Sequence, residues 1–308
     1  MPDIPSRSEA TSLDYHGRLE RVLRHIQDHL DETLGLAELA EVACFSPFHF
    51  HRIFTGMMGE TVAEHVRRLR MERAATVLRV GRKSVTEVAL DSGYEATESF
   101  TRAFKAAYGL APVRFRASPR EVRLSASSGV QFGSQTPPKL LKPKPTGIRT
   151  MNVSVKTIEP LRVAFLRHTG HYSNVGQTWA DLVGQLGPRG HLSPTTALIG
   201  IPYDDPETVA AEKCRNDACV TVDEGYRPSG AIKIQTIPGG DYAVARHKGP
   251  PETIGETYAL LFARWLPQSK REPRAEPCLL IAANNFSQVD RAERETDIYL
   301  PLQPKAGG

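Results

Sequence analysis

The sequence predicts two domains of different class: an all-α unit of two helix-turn-helix repeats, then an α+β unit of two duplicated strand-helix-strand-strand modules. Three observations lead there. Apolar residues recur at helical spacing from Leu13 to about Ser118 and, beyond Thr150, at a period close to two. Between these halves lies SASSGVQFGSQTPPKLLKPKPTG (residues 125–147), rich in Ser, Gly, Pro and Lys. Each half also aligns on itself.

Residues 1–14, MPDIPSRSEATSLD, are polar and hold no apolar stretch of the signal-peptide kind, so a flexible arm is expected there. Residues 15–118 follow as helices. Leu19, Val22, Leu23, Ile26 and Leu30 make one apolar stripe, and Val62, Val66, Leu69, Val77 and Leu78 make another on a longer helix. The opposite side of that helix carries Arg67, Arg68, Arg70 and Arg73, which read as a solvated face. Residues 119–150 are expected to be a linker unable to bury enough apolar surface to fold.

The excess charge lies in the linker, and neither large segment is basic overall. The net +4 divides into 17 basic against 16 acidic residues over 1–120, 5 against 1 over 121–150, and 17 against 18 over 151–308. Any affinity for a polyanion must therefore come from placement on one face or in the linker. No apolar run approaches the roughly 20 residues of a bilayer span, and a cytoplasmic protein is expected. Cys44, Cys214, Cys219 and Cys278 form no CxxC pair and have no histidine cluster beside them. They read as buried reduced thiols, with no metal and no cofactor implied.

In the helical half, LAELAEVACFSPFHFHRIFTGMMG (36–59) matches SVTEVALDSGYEATESFTRAFKAAYG (84–109). Each copy has a short helix with an inward alanine (Ala40, Ala89), a tight turn, and a second helix carrying Arg52 and Phe54 or Arg102 and Phe104. That is a helix-turn-helix pattern, whose second helix enters the major groove of DNA. Phe50, Phe54, Phe100 and Phe104 recur on the inner face and are expected in the core.

Beyond Thr150 the segments MNVSVKTI, LRVAFLRH, TALIGIPY, ACVTVD, AIKIQTI, YAVARH and TDIYLPL read as strands of a largely antiparallel sheet, with helices near 174–186 and 251–266. VAFLRHTGHYSNVGQTWADL aligns without gaps on YAVARHKGPPETIGETYALL, placing His168 on His247, Trp179 on Tyr258 and Leu182 on Leu261. Two such modules that bury their faces together leave a cleft on a pseudo-twofold, a default ligand site.

The stretch VALDSGYEATESFTRAFKAAYGLAPVRFR (88–116) resembles the DNA-binding signature of the AraC/XylS transcription regulators, and the likeness covers about 15–118. It implies two helix-turn-helix units joined by a rigid central helix. Val62 and His65 depart from it, standing where the first copy commonly has a proline and an aromatic. The second half resembles the GyrI-like effector-binding domain, through RHTG and RHKG, YDDP (203–206), DACVTV (217–222), WLP (265–267) and DIYLPL (297–302). It covers most of 151–304. Together the resemblances imply a ligand-responsive regulator whose partners are a double-stranded DNA promoter site, RNA polymerase and a small-molecule effector.

Sequence readout needs side chains on the exposed front of each second helix. Phe48, His51 and Arg52 are expected there in the first copy, and the family pattern places Thr97, Glu98, Ser99 and Arg102 in the second. Candidate ligand-lining residues are Tyr172, Trp179, Tyr226, Tyr258, Trp265 and Phe286, whose rings supply flat apolar walls, together with Leu280 and Ala282. His168 and His247 precede turn glycines and read as structural.

The resembled family writes one strand as Pro, two apolar or small residues, Glu, aliphatic, Tyr, Leu, Asn. This chain has PCLLIAANN (277–285) there, so Leu280 takes the place of the acid and Ala282 that of the tyrosine. A small neutral lipophilic or aromatic ligand is expected, and no enzyme activity. Glu295 and Asp297 are read as solvent-facing. Two alternatives stand beside this reading: a GyrI-like hydrolase fused to a DNA reader, and a C-terminal module that docks a protein and binds no ligand.

Overall fold

The computed structural model describes residues 15–118, 124, 129–133, 151–206, 208–286 and 288–305. The expected arm at 1–14 and most of the expected linker lie outside them. Two compact units result, Met1–Lys144 and Pro145–Gly308.

The first unit is helical: α1 Tyr15–Asp28, α2 Leu36–Val42, α3 Pro47–Met58, α4 Val62–Val80, α5 Val85–Asp91, α6 Thr97–Tyr108 and α7 Pro112–Arg116. Polar chemistry marks where helices start. Thr61 Oγ1 accepts from the Glu64 N–H at 3.2 Å while Glu64 accepts the Thr61 N–H at 2.8 Å, and Ser84 with Glu87 does the same for α5. The expected stripe on α1 is buried, as are Phe50, Phe54, Phe100 and Phe104. Each such side chain contributes about 1.5–3 kcal/mol by leaving water.

Both helix-turn-helix turns pivot on one left-handed residue, Cys44 (φ 53°) and Gly93 (φ 81°). Each turn then closes on the inward alanine: the Phe45 N–H reaches the Ala40 carbonyl at 2.9 Å and the Tyr94 N–H reaches the Ala89 carbonyl at 3.0 Å. Cys44 is therefore exposed, against the expectation of a buried thiol, while Cys214, Cys219 and Cys278 are buried.

The α4 arginines also depart from expectation. Arg70 donates to the Leu30 and Glu32 carbonyls at 2.8 and 2.7 Å, and Arg73 to the Asp91 carbonyl and the Asp31 carboxylate, each at 2.7 Å. They tie down loop ends that carry unpaired carbonyls. Arg68 is nearly buried between Glu60 and Glu72, at 2.6 and 2.9 Å.

Arg68 also donates to the Val130 carbonyl at 2.8 Å, the Phe132 N–H reaches Glu72 Oε2 at 2.7 Å, and Gly133 N–H reaches Gln27 Oε1 at 3.1 Å. Val130 is 3% exposed. Residues 130–133 thus form a strap on α4 and α1, inside the stretch expected to bury nothing. Its backbone groups find partners on the helices, which composition does not reveal.

The second unit holds β1 Val153–Ile158, β2 Leu161–Thr169, α8 Val175–Leu186, β3 Leu198–Pro202, β4 Arg215–Thr221, β5 Lys233–Ile237, β6 Gly240–Lys248, α9 Ile254–Leu260, a π-helical turn Leu261–Trp265, α10 Leu266–Ser269, β7 Leu279–Ala282 and β8 Glu295–Pro301. The strands form one sheet in the order β1-β6-β8-β7-β3-β4-β2-β5, antiparallel throughout. One face packs Val163 of β2 into the same cluster as Tyr242 of β6, with four strands between them in the order. β1 and β2 stand six places apart in that order yet are joined by Glu159 and Pro160 alone, so the sheet is curled.

On that face Arg167 pairs with buried Asp217 at 2.7 and 2.8 Å, and Tyr203 and Gln235 add donors at 3.0 and 3.1 Å. Burial and the nearby Asp217 charge push the Tyr203 phenol up to about 12. The repeat places Arg246 against Asp297 in the second module, at 2.6 and 2.9 Å. Asp297 is 8% exposed, not solvent-facing as expected. Glu295 also binds Arg246.

The other face carries the helices. His168 Nδ1 meets the Thr178 hydroxyl of α8 at 3.3 Å, and His247 Nδ1 meets Thr257 of α9 at 2.9 Å. Each ring's Nε2 faces a carbonyl, of His171 or Pro250, at 3.1 or 3.2 Å. The repeated histidines brace strand to helix, the structural role expected of them.

Candidate functional site

The exposed front of α6 presents Glu98 and Arg102, with Thr97 and Ser99 half-buried beside them. Arg102 Nη2 lies 3.4 Å from the Ser99 hydroxyl, and the Thr97 hydroxyl reaches Thr86 at 3.3 Å. On α3, Phe48 and Arg52 are half-buried, with Arg52 Nη1 3.4 Å from the Phe48 carbonyl. His51 departs from expectation. It is 3% exposed and its Nε2 lies 3.4 Å from the Thr55 hydroxyl, so its ring is not on the front. The two turns differ in length by one residue: Cys44 corresponds to Gly93, yet Phe50 corresponds to Phe100. His51 thus answers to Thr101.

In the second unit, cross-strand pairs lay one row across the helix-bearing face: Leu166, Ala218, Gly200, Leu280, Ile298 and Ala245. Gly200 and Leu280 stand at its centre, where the modules meet. Strand alternation puts Leu198 and Ala282 on the same face. Of the α8 side chains, Thr178, Asp181 and Gln185 border a surface cavity of about 530 Å³ with Arg167 and Ala231, at the outer edge of β2. Trp179 and Val183 occupy the opposite flank, toward the sheet centre. Because α8 packs on β2 and β4 and α9 on β6, β3 and β7 lie in the groove between the helices, and Leu198, Gly200, Leu280 and Ala282 make an apolar floor there with the Trp179 and Val183 flank of α8 on one side. Glu295 and Asp297 alternate with Ile298 and Thr296, and Asp297 faces away from this floor.

The other expected lining residues do not all converge here. Tyr258 is buried and stacks on Phe262 at 6.0 Å, and Trp265 sits in the π-helical turn. The Tyr172 hydroxyl is 2.8 Å from both the Asp204 and Arg215 carbonyls. Tyr226 lies in the core beneath α8, edge-on to His191, and Phe286 lies under the Arg294 guanidinium. Val183, Leu198 and Gly200 were missed. The first lies one turn from Trp179, and the other two alternate with core residues on β3, a signal that was available.

Known proteins match both halves. Residues 151–303 match the family described as the GyrI-like small molecule binding domain, and residues 39–118 match a helix-turn-helix domain family. The probable transcriptional regulator YgiV of Escherichia coli (strain K12) is 32% identical over 157 residues, covering 50% of this chain and 97% of that protein. The chain belongs to the AraC-type regulators carrying a GyrI-like domain. The Right origin-binding protein of Escherichia coli (strain K12) is 26% identical over 263 residues, 83% of this chain and 86% of that protein. Among solved structures, the cryo-EM structure of the EcmrR–DNA complex in EcmrR-RPo is similar at 18% identity and a TM-score of 0.44, covering 51% of this chain and 59% of that one. This AraC-type regulator has, among its described residues, no helix long and apolar enough to cross a membrane and no group of metal-ligating side chains.

Proposed function

We propose that this regulator works in the cytoplasm, reads DNA through Phe48 and Arg52 of α3 and Thr97, Glu98, Ser99 and Arg102 of α6, and senses a small, neutral, lipophilic or aromatic molecule in the groove of its second unit. His51 drops out of the reading set because it is buried. RNA polymerase is the partner through which a promoter-bound regulator of this type would act.

The observation that carries the ligand reading is the floor of the groove. Leu198, Gly200, Leu280 and Ala282 bring no charge to it, so a cation entering there would lose hydration without gaining a counter-charge. The same absence supports a non-enzymatic reading, since acid–base work needs a titratable group within hydrogen-bond reach of the substrate. Calorimetry with matched neutral and trimethylammonium-bearing naphthalenes, on wild type and Leu280→Glu, tests it. The neutral compound should bind wild type more tightly, and the substitution should reverse that order. Tighter binding of the cation by wild type, unchanged in Leu280→Glu, would overturn the reading.

A further inference from the structure

The repeat makes the two sides of the groove comparable, and they differ. Trp179, Val183 and Leu198 of the first module correspond to Tyr258, Phe262 and Cys278 of the second. Val183 is 37% and Leu198 38% exposed, and Trp179 is half-buried. Their counterparts are 6%, 0% and 1% exposed. The cause is local. Residues 261–265 form a π-helical turn, whereas the corresponding residues 182–186 continue α8 as a regular α-helix.

Gly200 and Leu280 are repeat counterparts as well as cross-strand partners. A Cβ at Gly200 would meet only the Leu280 Cβ at 3.7 Å and its carbonyl at 3.8 Å, beyond the glycine's own chain neighbours. Its φ is outside the left-handed region. The backbone therefore does not require glycine, and the missing side chain leaves room on the first module's side.

We infer that the ligand site is one-sided: a flat neutral molecule lies over Gly200, against Trp179, Val183 and Leu198, with Leu280 as its end wall, while the second module's half is filled by Tyr258 and Phe262. This rests on the ligand reading above. The family match describes a small-molecule-binding domain, and the named walls carry only apolar or aromatic side chains, so the occupant is a small aromatic or lipophilic compound. Gly200 sets how large it can be.

The test is a fluorescence titration of the full chain with N-phenyl-1-naphthylamine, a neutral aromatic dye. Gly200→Leu, which restores the side chain found at the counterpart position, and Val183→Asp, on an exposed helix flank, should each weaken binding about tenfold or more. Tyr258→Phe should stay within about twofold of wild type. Thermal melts check that each variant folds, and Val183→Asp carries the test should Gly200→Leu fail. Dye binding unchanged by Gly200→Leu and Val183→Asp would overturn the one-sided placement and leave the ligand reading standing. No dye binding by wild type would overturn both.

Discussion

The Arg68 guanidinium donates to the Val130 carbonyl at 2.8 Å across 62 positions of sequence. Around it Glu72 holds the Phe132 N–H and Gln27 holds that of Gly133. The strap therefore links α1, which precedes the first turn, to α4, which joins the two repeats. Burial of Val130 contributes about 1.5 kcal/mol, enough to slow local opening about tenfold. Chymotrypsin should cut after Phe132 slowly in the full chain and about tenfold faster in Val130→Asp. Equal cutting rates would show that the strap does not hold in solution.

Acid should loosen the same region. Burial pushes the Glu60 carboxyl upward, but hydrogen bonds from His65 and Arg68 outweigh it and hold it at about 2. A carboxylate whose folded pKa is depressed contributes stability above its unfolded pKa, and that stability is lost as pH falls through the folded value. The window runs from about 4.5 down to about 2, with a ceiling on the order of 3 kcal/mol. Glu60→Gln should destabilise the helical unit at pH 7 and flatten its acid unfolding curve, as followed by circular dichroism at 222 nm. An acid midpoint unchanged by the substitution would contradict this.

The paired turns make opposite predictions for one backbone position. Cys44 holds φ 53° without being glycine, which costs about 1 kcal/mol, so Cys44→Gly should raise the melting temperature. Gly93→Ala should lower it, because φ is 81° and the new Cβ would come within 2.9 Å of Arg70 Nη1. Thermal unfolding of the two variants decides it. A lower melting temperature for Cys44→Gly would mean that the thiol contributes more than the turn strain costs.

Much of this architecture is legible in the residues. The strands announce themselves by alternation, and the repeat of Trp179 on Tyr258 brings both helices to one face of the sheet. What could not be read depends on partners distant in sequence. Arg68, Arg70 and Arg73 look like a solvated face until the carbonyls of Val130, Leu30 and Asp91 are placed against them. Val183 and Phe262 occupy equivalent repeat positions and are both apolar, yet one is 37% exposed and the other buried. That difference comes from the π-helical turn after α9, which hydrophobic spacing does not encode. His51, a polar residue next to the inward Phe50, reads as surface by its chemistry alone, whereas its ring is buried beside the Thr55 hydroxyl.

The measurement closest to the central claim is selection of bound DNA from a random pool by the full chain, repeated with Arg52→Ala and Arg102→Ala. Two recognition helices reading successive major-groove segments predict two sequence elements about one helical turn, or 10 base pairs, apart. Each arginine substitution should relax one element, a different one in each case, at a cost of about 1–3 kcal/mol. A single enriched element, or both substitutions relaxing the same one, would contradict the account.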